Sequence, residues 1–216
     1  APLNIGLVLD RSGSMRGDKI RATLESARIL VDRLSARDRL SVVFYDTEVE
    51  VALKPTRLED RDAVAKILQT TRARGTTNLS GGWLQGLRLV EKAAKKGAAS
   101  RGLLMTDGQA NRGIVDRAAL EKVAEKARRK GVVTTTIGFG AGFNEDLLTG
   151  VARAGGGNFH FIENPDDAPR AFSAELGDAL DLAAQNLQIT LAFAPGVRLG
   201  EVLNPFPHAL AGTGVE

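Results

Sequence analysis

Short apolar segments alternate with amphipathic segments along most of the chain, and this order restricts the possible folds more than any other feature. The apolar runs are bounded by turn residues, which is typical of strands buried on both faces. The runs that we predict to be strands are 4–9, 40–45, 102–106, 132–137 and 158–162. The segments between them carry apolar residues at spacings of three and four, which predicts helices at 18–34, 58–68, 79–96, 117–130, 144–154 and 168–184. Regular alternation of strand and helix predicts a doubly wound α/β fold with a mostly parallel central sheet and helices on both faces.

One segment departs from this alternation and predicts an antiparallel edge strand. Soon after the strand at 40–45, the apolar residues Val49, Val51 and Leu53 alternate with Glu50 and Ala52. Such a pattern after a short turn is typical of a hairpin. We expect Pro55 to end this strand.

The pattern changes again near residue 186. Leu187, Ile189, Leu191 and Phe193 alternate with more polar residues, and no helical pattern follows. We therefore expect residues 1–185 to form the α/β domain. We expect residues 186–216 to form an extra C-terminal β segment, the start of a downstream β-rich region.

Charge and composition exclude some functional classes. The net charge of +3 arises from 29 basic and 26 acidic residues, which is a weak excess, and acids alternate with bases on the helices, so we expect no nucleic-acid partner. No apolar run is long enough to span a membrane, and no signal peptide is visible. The absence of cysteine excludes thiol nucleophiles and thiolate metal sites. The compartment stays open between cytoplasm and cell envelope, and the high Arg, Ala and Gly content suggests a bacterial origin.

The turn after the first predicted strand concentrates oxygen-bearing side chains. Asp10, Ser12 and Ser14 stand at alternate positions, and Gly13 allows the backbone to bend between them. Hard divalent cations prefer such oxygen ligands. Open α/β sheets also bind their ligands at the carboxyl ends of strands, where this turn lies.

Two further loops carry similar residues. Thr76 and Thr77 precede the helix predicted at 79–96, and Asp107 follows the strand predicted at 102–106. The loops that carry Asp10 and Asp107 should meet at the same sheet edge, and the threonine loop can reach that edge. Two carboxylates and three or more hydroxyls without His or Cys are a ligand set for Mg²⁺ or Mn²⁺ rather than zinc.

Each loop alone has a structural interpretation as turn and helix-cap residues. A glycine-rich segment at 138–143 is similar to a dinucleotide-binding loop, but position 143 is Phe where that motif needs Gly. His160 and His208 have no visible acidic partner, so we expect both to be structural. Trp83 is expected to pack in the interior.

The three loops together carry a resemblance. DRSGSM after a strand, TNLSGG before a helix and a strand ending in TDG occur in that order. Over about residues 3–185 the chain resembles the von Willebrand factor type A (VWA) domain family, which has a Rossmann-like fold. In that family these loops form the metal-ion-dependent adhesion site (MIDAS).

The resemblance implies a ligand set and a function. Ser12, Ser14 and Thr77 would be direct hydroxyl ligands of Mg²⁺ or Mn²⁺, with Thr76 as the alternative to Thr77. Asp10 and Asp107 would balance the charge, often through water. The remaining coordination position would accept a Glu or Asp carboxylate of a protein partner. The implied function is a non-enzymatic protein–protein interaction module for adhesion or scaffolding.

Two hypotheses accompany this interpretation. The alternative function is a metal-dependent hydrolase or phosphotransferase that uses Asp10. It is less favoured because metal-assisted hydrolysis normally needs a positioned base as well. In relatives, ligand binding can be coupled to a shift of the last helix, here 168–184, although the sequence itself gives no evidence for such a movement.

Overall fold

The computed structural model describes residues 1–107, 112–140, 143–180, 191–194, 196–197, 200, 210–211 and 214–215. The chain divides into two compact units, Ala1–Leu182 and Ala183–Glu216. The strands of the first unit are β1 (Leu3–Asp10), β2 (Arg39–Tyr45), β3 (Val49–Arg57), β4 (Ala99–Thr106), β5 (Val132–Phe139) and β6 (Gly156–Ile162). Its helices are α1 (Asp18–Arg33), α2 (Arg61–Thr70), α3 (Leu79–Ala93), α4 (Arg117–Arg129), α5 (Glu145–Gly155) and α6 (Ala168–Leu180), with 3₁₀ turns at Gly13–Met15 and Pro165–Asp167.

The strands form a six-stranded sheet in the order β3-β2-β1-β4-β5-β6. All neighbouring pairs are parallel except β2 and β3, which are antiparallel. Every residue of β1 and β4 is buried, as expected for central strands covered on both faces. The predicted doubly wound α/β fold with one antiparallel edge strand is therefore confirmed.

Helices cover both faces of the sheet, and each face has its own apolar core. One cluster contains Leu30 of α1, Leu68 of α2 and Phe172 of α6. The other contains Trp83 of α3 and Val151 of α5. The indole of Trp83 is completely buried, which confirms the expectation that this residue packs in the interior.

The prediction that Pro55 ends its strand was wrong, because β3 continues through Pro55 to Arg57. A proline lacks the backbone N–H that a central strand must donate, but an edge strand can tolerate it. The β2–β3 ladder is also irregular here, with register shifts between Leu40 and Val43. The helices begin and end within a few residues of their predicted limits. For example, α2 begins at Arg61 rather than at residue 58, because the Asp60 side chain caps it by accepting from Ala63 N.

The second unit contains the strands β7 (Leu191–Ala192), β8 (Leu210–Ala211) and β9 (Gly214–Val215), paired antiparallel in the order β7-β9-β8. The predicted domain boundary between residues 185 and 186 lies outside the described residues and stays a prediction. Leu187 and Ile189 of the alternating pattern also lie outside them. No helix within the described ranges combines the length and apolar character that a membrane span requires.

Candidate metal site

Three segments meet at the carboxyl edge of the sheet and contain the predicted ligands. We call residues 10–14 loop 1, residues 74–78 loop 2 and residues 106–107 loop 3. Asp10 ends β1 and Asp107 follows the last residue of β4. Since β1 and β4 are parallel neighbours with Leu9 opposite Met105, the ends of both strands lie side by side. Gly108 and Gln109, the next residues after loop 3, lie outside the described residues.

Asp10 is fully buried, and hydrogen bonds fix both of its carboxylate oxygens. Its Oδ1 accepts from the backbone N–H of Ser12 at 2.7 Å. Its Oδ2 accepts from the hydroxyl of Thr106 at 2.7 Å. Loop 1 therefore folds back over its own carboxylate, while β4 holds that carboxylate from the other side.

A continuous series of oxygen contacts joins loop 1 to loop 3. The hydroxyl oxygens of Ser12 and Ser14 are 3.1 Å apart. Ser14 Oγ donates to Asp107 Oδ1 at 2.7 Å, and Lys19 Nζ of α1 lies 2.5 Å from Asp107 Oδ2. The structure thus brings together Asp10, Ser12, Ser14 and Asp107, four of the five predicted ligands.

Loop 2 lies against loop 1 through the backbone. Gly13 N donates to Gly75 O at 3.0 Å, and Arg74 N donates to Arg11 O at 2.7 Å. Gly75 has a φ of +68°, a left-handed conformation that favours glycine, and a Cβ added there would lie 2.6 Å from Thr47 Oγ1. The close turn that brings loop 2 to the site therefore requires glycine at this position.

The two threonines of loop 2 differ in exposure. Thr77 is only 4% exposed, and its hydroxyl has no hydrogen-bond partner among the described residues. Thr76 is exposed, and its hydroxyl shares a hydrogen bond with Thr47 Oγ1 at 3.1 Å. Thr77 makes no hydrogen bond to the other predicted ligands in the described part of the chain. Of the two threonines, Thr77 is the less exposed and has the hydroxyl that no described side chain engages, whereas that of Thr76 is engaged with Thr47.

Burial makes the charge on Asp10 costly. The pKa of Asp10 is raised from 3.8 to about 6, because desolvation outweighs the hydrogen bonds from Thr106 and Ser12, which lower it. The negative charge of Asp107 raises this pKa slightly further. A cation bound beside the two carboxylates would relieve both effects.

The donor set fits a hard divalent cation. It offers hydroxyl and carboxylate oxygens and no nitrogen or sulfur. Over the residues that the structure describes, no group of three or more His, Cys, Asp and Glu side chains could hold a metal. A site here consequently depends on the Ser and Thr hydroxyls in addition to Asp10 and Asp107.

Two residues that contact these carboxylates had no role assigned from the sequence. Thr106 donates to Asp10, and the signal for it was the register: it follows the position opposite Leu9 on the neighbouring strand. Lys19 pairs with Asp107 from a different element, and no local pattern could have indicated that contact.

A second buried acid, on α6, pairs with Arg101 of β4, which lies roughly 16 Å along the strand from Thr106 by the usual rise per residue. Glu175 of α6 forms a salt bridge with Arg101 and accepts from Thr135 Oγ1 at 2.6 Å. Its Oε2 lies 3.2 Å from His160 Nε2, so His160, which we expected to be structural, has an acidic partner that was not visible in the sequence. The partner is distant in sequence, which hid it from pattern analysis. His208 lies outside the described residues.

The family model of the von Willebrand factor type A domain matches residues 4–175. The uncharacterized protein sll0103 of Synechocystis is 32% identical over 201 residues, which cover 93% of this chain and 47% of that protein. The chain spans between 25% and 47% of the length of the first curated relatives that it matches.

Solved structures agree with the family match at the level of the fold. A von Willebrand factor type A protein from Catenulispora acidiphila superimposes with a TM-score of 0.74 at 21% identity, covering 83% of this chain and 43% of that one. Proximal thread matrix protein 1 from the mussel byssus, described with a zinc-occupied MIDAS motif, gives a TM-score of 0.68 at 18% identity, covering 82% of this chain and 47% of that one.

Proposed function

The chain belongs to the von Willebrand factor type A domain family, and we propose that loops 1 to 3 form a MIDAS through which it binds an acidic side chain of a protein partner. Domains of this family generally mediate protein–protein interaction. The observation that carries the proposal is the series of contacts from Asp10 through Ser12 and Ser14 to Asp107, which joins two distant motifs.

The proposed ligands divide by charge. Ser12, Ser14 and Thr77 would hold Mg²⁺ or Mn²⁺ through their hydroxyls, and Asp10 and Asp107 would balance its charge. The zinc-occupied MIDAS of the mussel protein supports the capacity of this fold to hold a divalent ion. When bound, the ion supplies an electrophilic position for a carboxylate oxygen.

Lys19 sets the net charge of the proposed site. Two carboxylates and one ammonium group give a formal charge of −1, which attracts a divalent cation. Addition of a divalent ion changes this charge to +1, which favours an anionic partner group. The same residues therefore support metal binding first and carboxylate binding second.

An apolar rim beside loop 2 supplies further contact area for the partner. Ile114 and Val115 are 38% and 56% exposed, unlike most large apolar side chains in the described ranges. The backbone N–H of Ile114 donates to Ser80 Oγ at 2.8 Å, which fixes this rim against the first turn of α3, directly after loop 2. We propose that these two side chains contact apolar groups next to the partner's carboxylate.

The geometry gives less support to the alternative that Asp10 is a phosphoryl-accepting nucleophile. Both of its carboxylate oxygens already accept hydrogen bonds, and its charged form is destabilised by burial. A nucleophile needs an oxygen that faces the substrate. Phosphate-ester turnover that depends on Asp10 but not on Ser14 would favour this alternative instead.

Calorimetric titration with Mg²⁺ and Mn²⁺ tests the proposed site. We expect the wild-type chain to bind one divalent ion, and we expect Ser12→Ala and Asp107→Ala each to weaken that binding by at least about tenfold. The matched controls are Ser173→Ala, whose hydroxyl donates to Pro169 O on α6, and Asp116→Ala at the start of α4. Unchanged affinity in the two loop variants would show that the site is assigned wrongly.

A pull-down from the source organism tests the partner. We expect proteins captured in Mg²⁺ to be released by EDTA, and a Ser12→Ala/Ser14→Ala double variant to capture none of them. Capture that survives EDTA and the double substitution would contradict a metal-dependent interaction, even if the isolated chain binds the ion.

A further inference from the structure

The turn between β2 and β3 belongs to none of the three loops, yet it contacts two of them. This turn, residues 46–48, joins an edge strand to its neighbour. Its side chains and backbone nonetheless account for several of the hydrogen bonds that hold loops 1 and 2 in place. Asp46 lies at the centre of these contacts.

The Asp46 side chain binds one arginine from each loop. Its Oδ2 accepts from Arg11 Nε at 2.7 Å and from Arg74 Nε at 2.9 Å. Arg11 stands between the proposed ligand positions Asp10 and Ser12, and Arg74 begins loop 2. One carboxylate oxygen therefore ties together the backbones that carry the hydroxyl ligands.

The backbone of the turn reinforces this connection. Asp46 O accepts at 2.8 Å from the backbone N–H of Asn78, the residue directly after Thr77. Thr47 Oγ1 accepts at 3.0 Å from the backbone N–H of Thr76, the residue directly before Thr77. Asp46 Oδ1 accepts from Glu48 N at 2.9 Å, which closes the turn on itself. Both neighbours of Thr77 are thus fixed to the same turn.

Burial stabilises the pairing of Asp46 with Arg11, whereas the Arg74 side chain is 60% exposed. The side chains of Asp46 and Arg11 are 3% and 8% exposed, and the Arg11 guanidinium lies over the ring of Phe44. Arg11 Nη1 also pairs with Glu50 at 2.7 Å. Charge-assisted hydrogen bonds in a low-dielectric setting are stronger than neutral ones, so a change at Asp46 should be felt in both loops.

We propose that Asp46 is a positioning residue of the metal site: by binding Arg11 and Arg74 at once, it fixes Thr77 of loop 2 relative to Ser12 and Ser14 of loop 1. This inference rests on the proposed function, because it concerns the same ligands. It adds a residue that lies outside every motif of the family resemblance.

Asp46→Asn tests the role of the shared charge at nearly constant side-chain shape. The amide presents N–H donors to arginine donors, so one or both pairings should break. We expect Mg²⁺ affinity measured by calorimetry to fall at least about tenfold, the loss typical when a residue that orients metal ligands is changed. In the metal-free chain, amide hydrogen exchange should accelerate at Thr76 and Asn78.

Asp38→Asn is the matched control. Asp38 is also buried and also accepts from several donors: Leu3 N at 2.7 Å, Ser35 N at 2.6 Å and Ser35 Oγ at 2.8 Å. It directly precedes β2 and contacts Leu3 at the amino end of β1, the end opposite Asp10. We expect Asp38→Asn to lower the thermal midpoint of the chain but to leave Mg²⁺ affinity within about twofold of wild type.

The outcomes separate the inference from the proposed function. If the wild-type chain binds Mg²⁺ and the two variants lose the same affinity, or neither loses any, Asp46 has no positioning role. If the wild-type chain binds no divalent ion, the proposed function fails. The exchange experiment needs no metal, and unchanged protection at Thr76 and Asn78 in Asp46→Asn would overturn the inference by itself.

Discussion

Two buried carboxylates of this domain have pKa values shifted in opposite directions. Asp10 and Glu175 are 0% and 1% exposed. Burial raises the pKa of Asp10 to about 6. Burial also acts to raise the pKa of Glu175, but hydrogen bonds from His160 and Thr135, together with the charge of Arg101, lower it below its ordinary value.

The difference lies in whether the protein supplies the counter-ion. Glu175 has the buried guanidinium of Arg101 and further donors from β5 and β6, so its charge is compensated within the fold. Asp10 has hydrogen-bond donors without net charge, and its acidic neighbour Asp107 adds to the cost. A buried acid that the fold leaves without a cation of its own is a candidate binding group for an external one.

Removal of the Glu175 charge should have the largest effect. Glu175→Gln removes the carboxylate charge that pairs with the buried guanidinium of Arg101, and breaking such a buried pair typically costs about 3–5 kcal/mol. We expect the free energy of unfolding, measured by urea titration, to fall by that amount, with no change in Mg²⁺ affinity. The control is Glu125→Gln, which removes an exposed pair with Arg129 on α4 and should cost about 0.5 kcal/mol or less. Similar losses in both variants would contradict a structural role for the buried pair.

Removal of the Asp10 charge should change the free energy of unfolding in the opposite direction. A pKa raised from 3.8 to about 6 corresponds to a cost of at most about 3 kcal/mol for the charged form at neutral pH. We therefore expect Asp10→Asn to stabilise the metal-free chain by about 1–3 kcal/mol in urea titrations with EDTA. The same variant should gain no stability from added Mg²⁺. A variant less stable than wild type in EDTA would show that the hydrogen bonds to Ser12 and Thr106 outweigh the charge.

The contributions of Asp10 and Glu175 to the free energy of unfolding should also change with pH in opposite directions. Because the folded pKa of Asp10 exceeds its unfolded value, the penalty is complete above about pH 6 and disappears below about pH 4. The stability difference between wild type and Asp10→Asn in EDTA should shrink over that interval. Glu175 has a lowered folded pKa, so its contribution is complete above its unfolded value of 4.5 and is lost as the pH falls through the folded one. The difference between wild type and Glu175→Gln should consequently shrink only in that more acidic range.

The features of the fold and site that could be predicted from the sequence depend on local spacing and on the order of elements along the chain. Strand and helix periodicity predicted the sheet, its antiparallel edge and both helical layers, because these depend on local apolar spacing. Asp10, Ser12, Ser14 and Asp107 could be grouped because parallel strands end at one edge of a sheet. All of these inferences need only order along the chain and the rules of α/β topology.

The missed contacts depend on side chains that are distant in sequence. Glu175 reaches strands β4, β5 and β6 from the last helix, and Asp46 reaches Arg74 across a separate loop. No spacing rule links such pairs. The continuation of β3 past Pro55 was missed for a related reason, since tolerance of proline depends on which strand lies at the edge.

Asp107 lies between the two acids compared above, because the protein supplies it with a cation, Lys19, that is only partly buried. Replacement of Lys19 should have the smallest effect. Its side chain is 31% exposed, so solvent screens its pairing with Asp107. Lys19→Met changes the formal charge of the metal-free site from −1 to −2, and we expect Mg²⁺ affinity to rise by up to about fivefold, since solvent-screened charge pairs contribute about 1 kcal/mol or less. Partner affinity in saturating Mg²⁺ should fall, because the loaded site changes from a charge of +1 to neutral. Lys122→Met, an exposed lysine on α4, controls for net charge and should change neither affinity. Parallel changes of metal and partner affinity in Lys19→Met would mean that Lys19 acts by orienting Asp107 rather than through its charge.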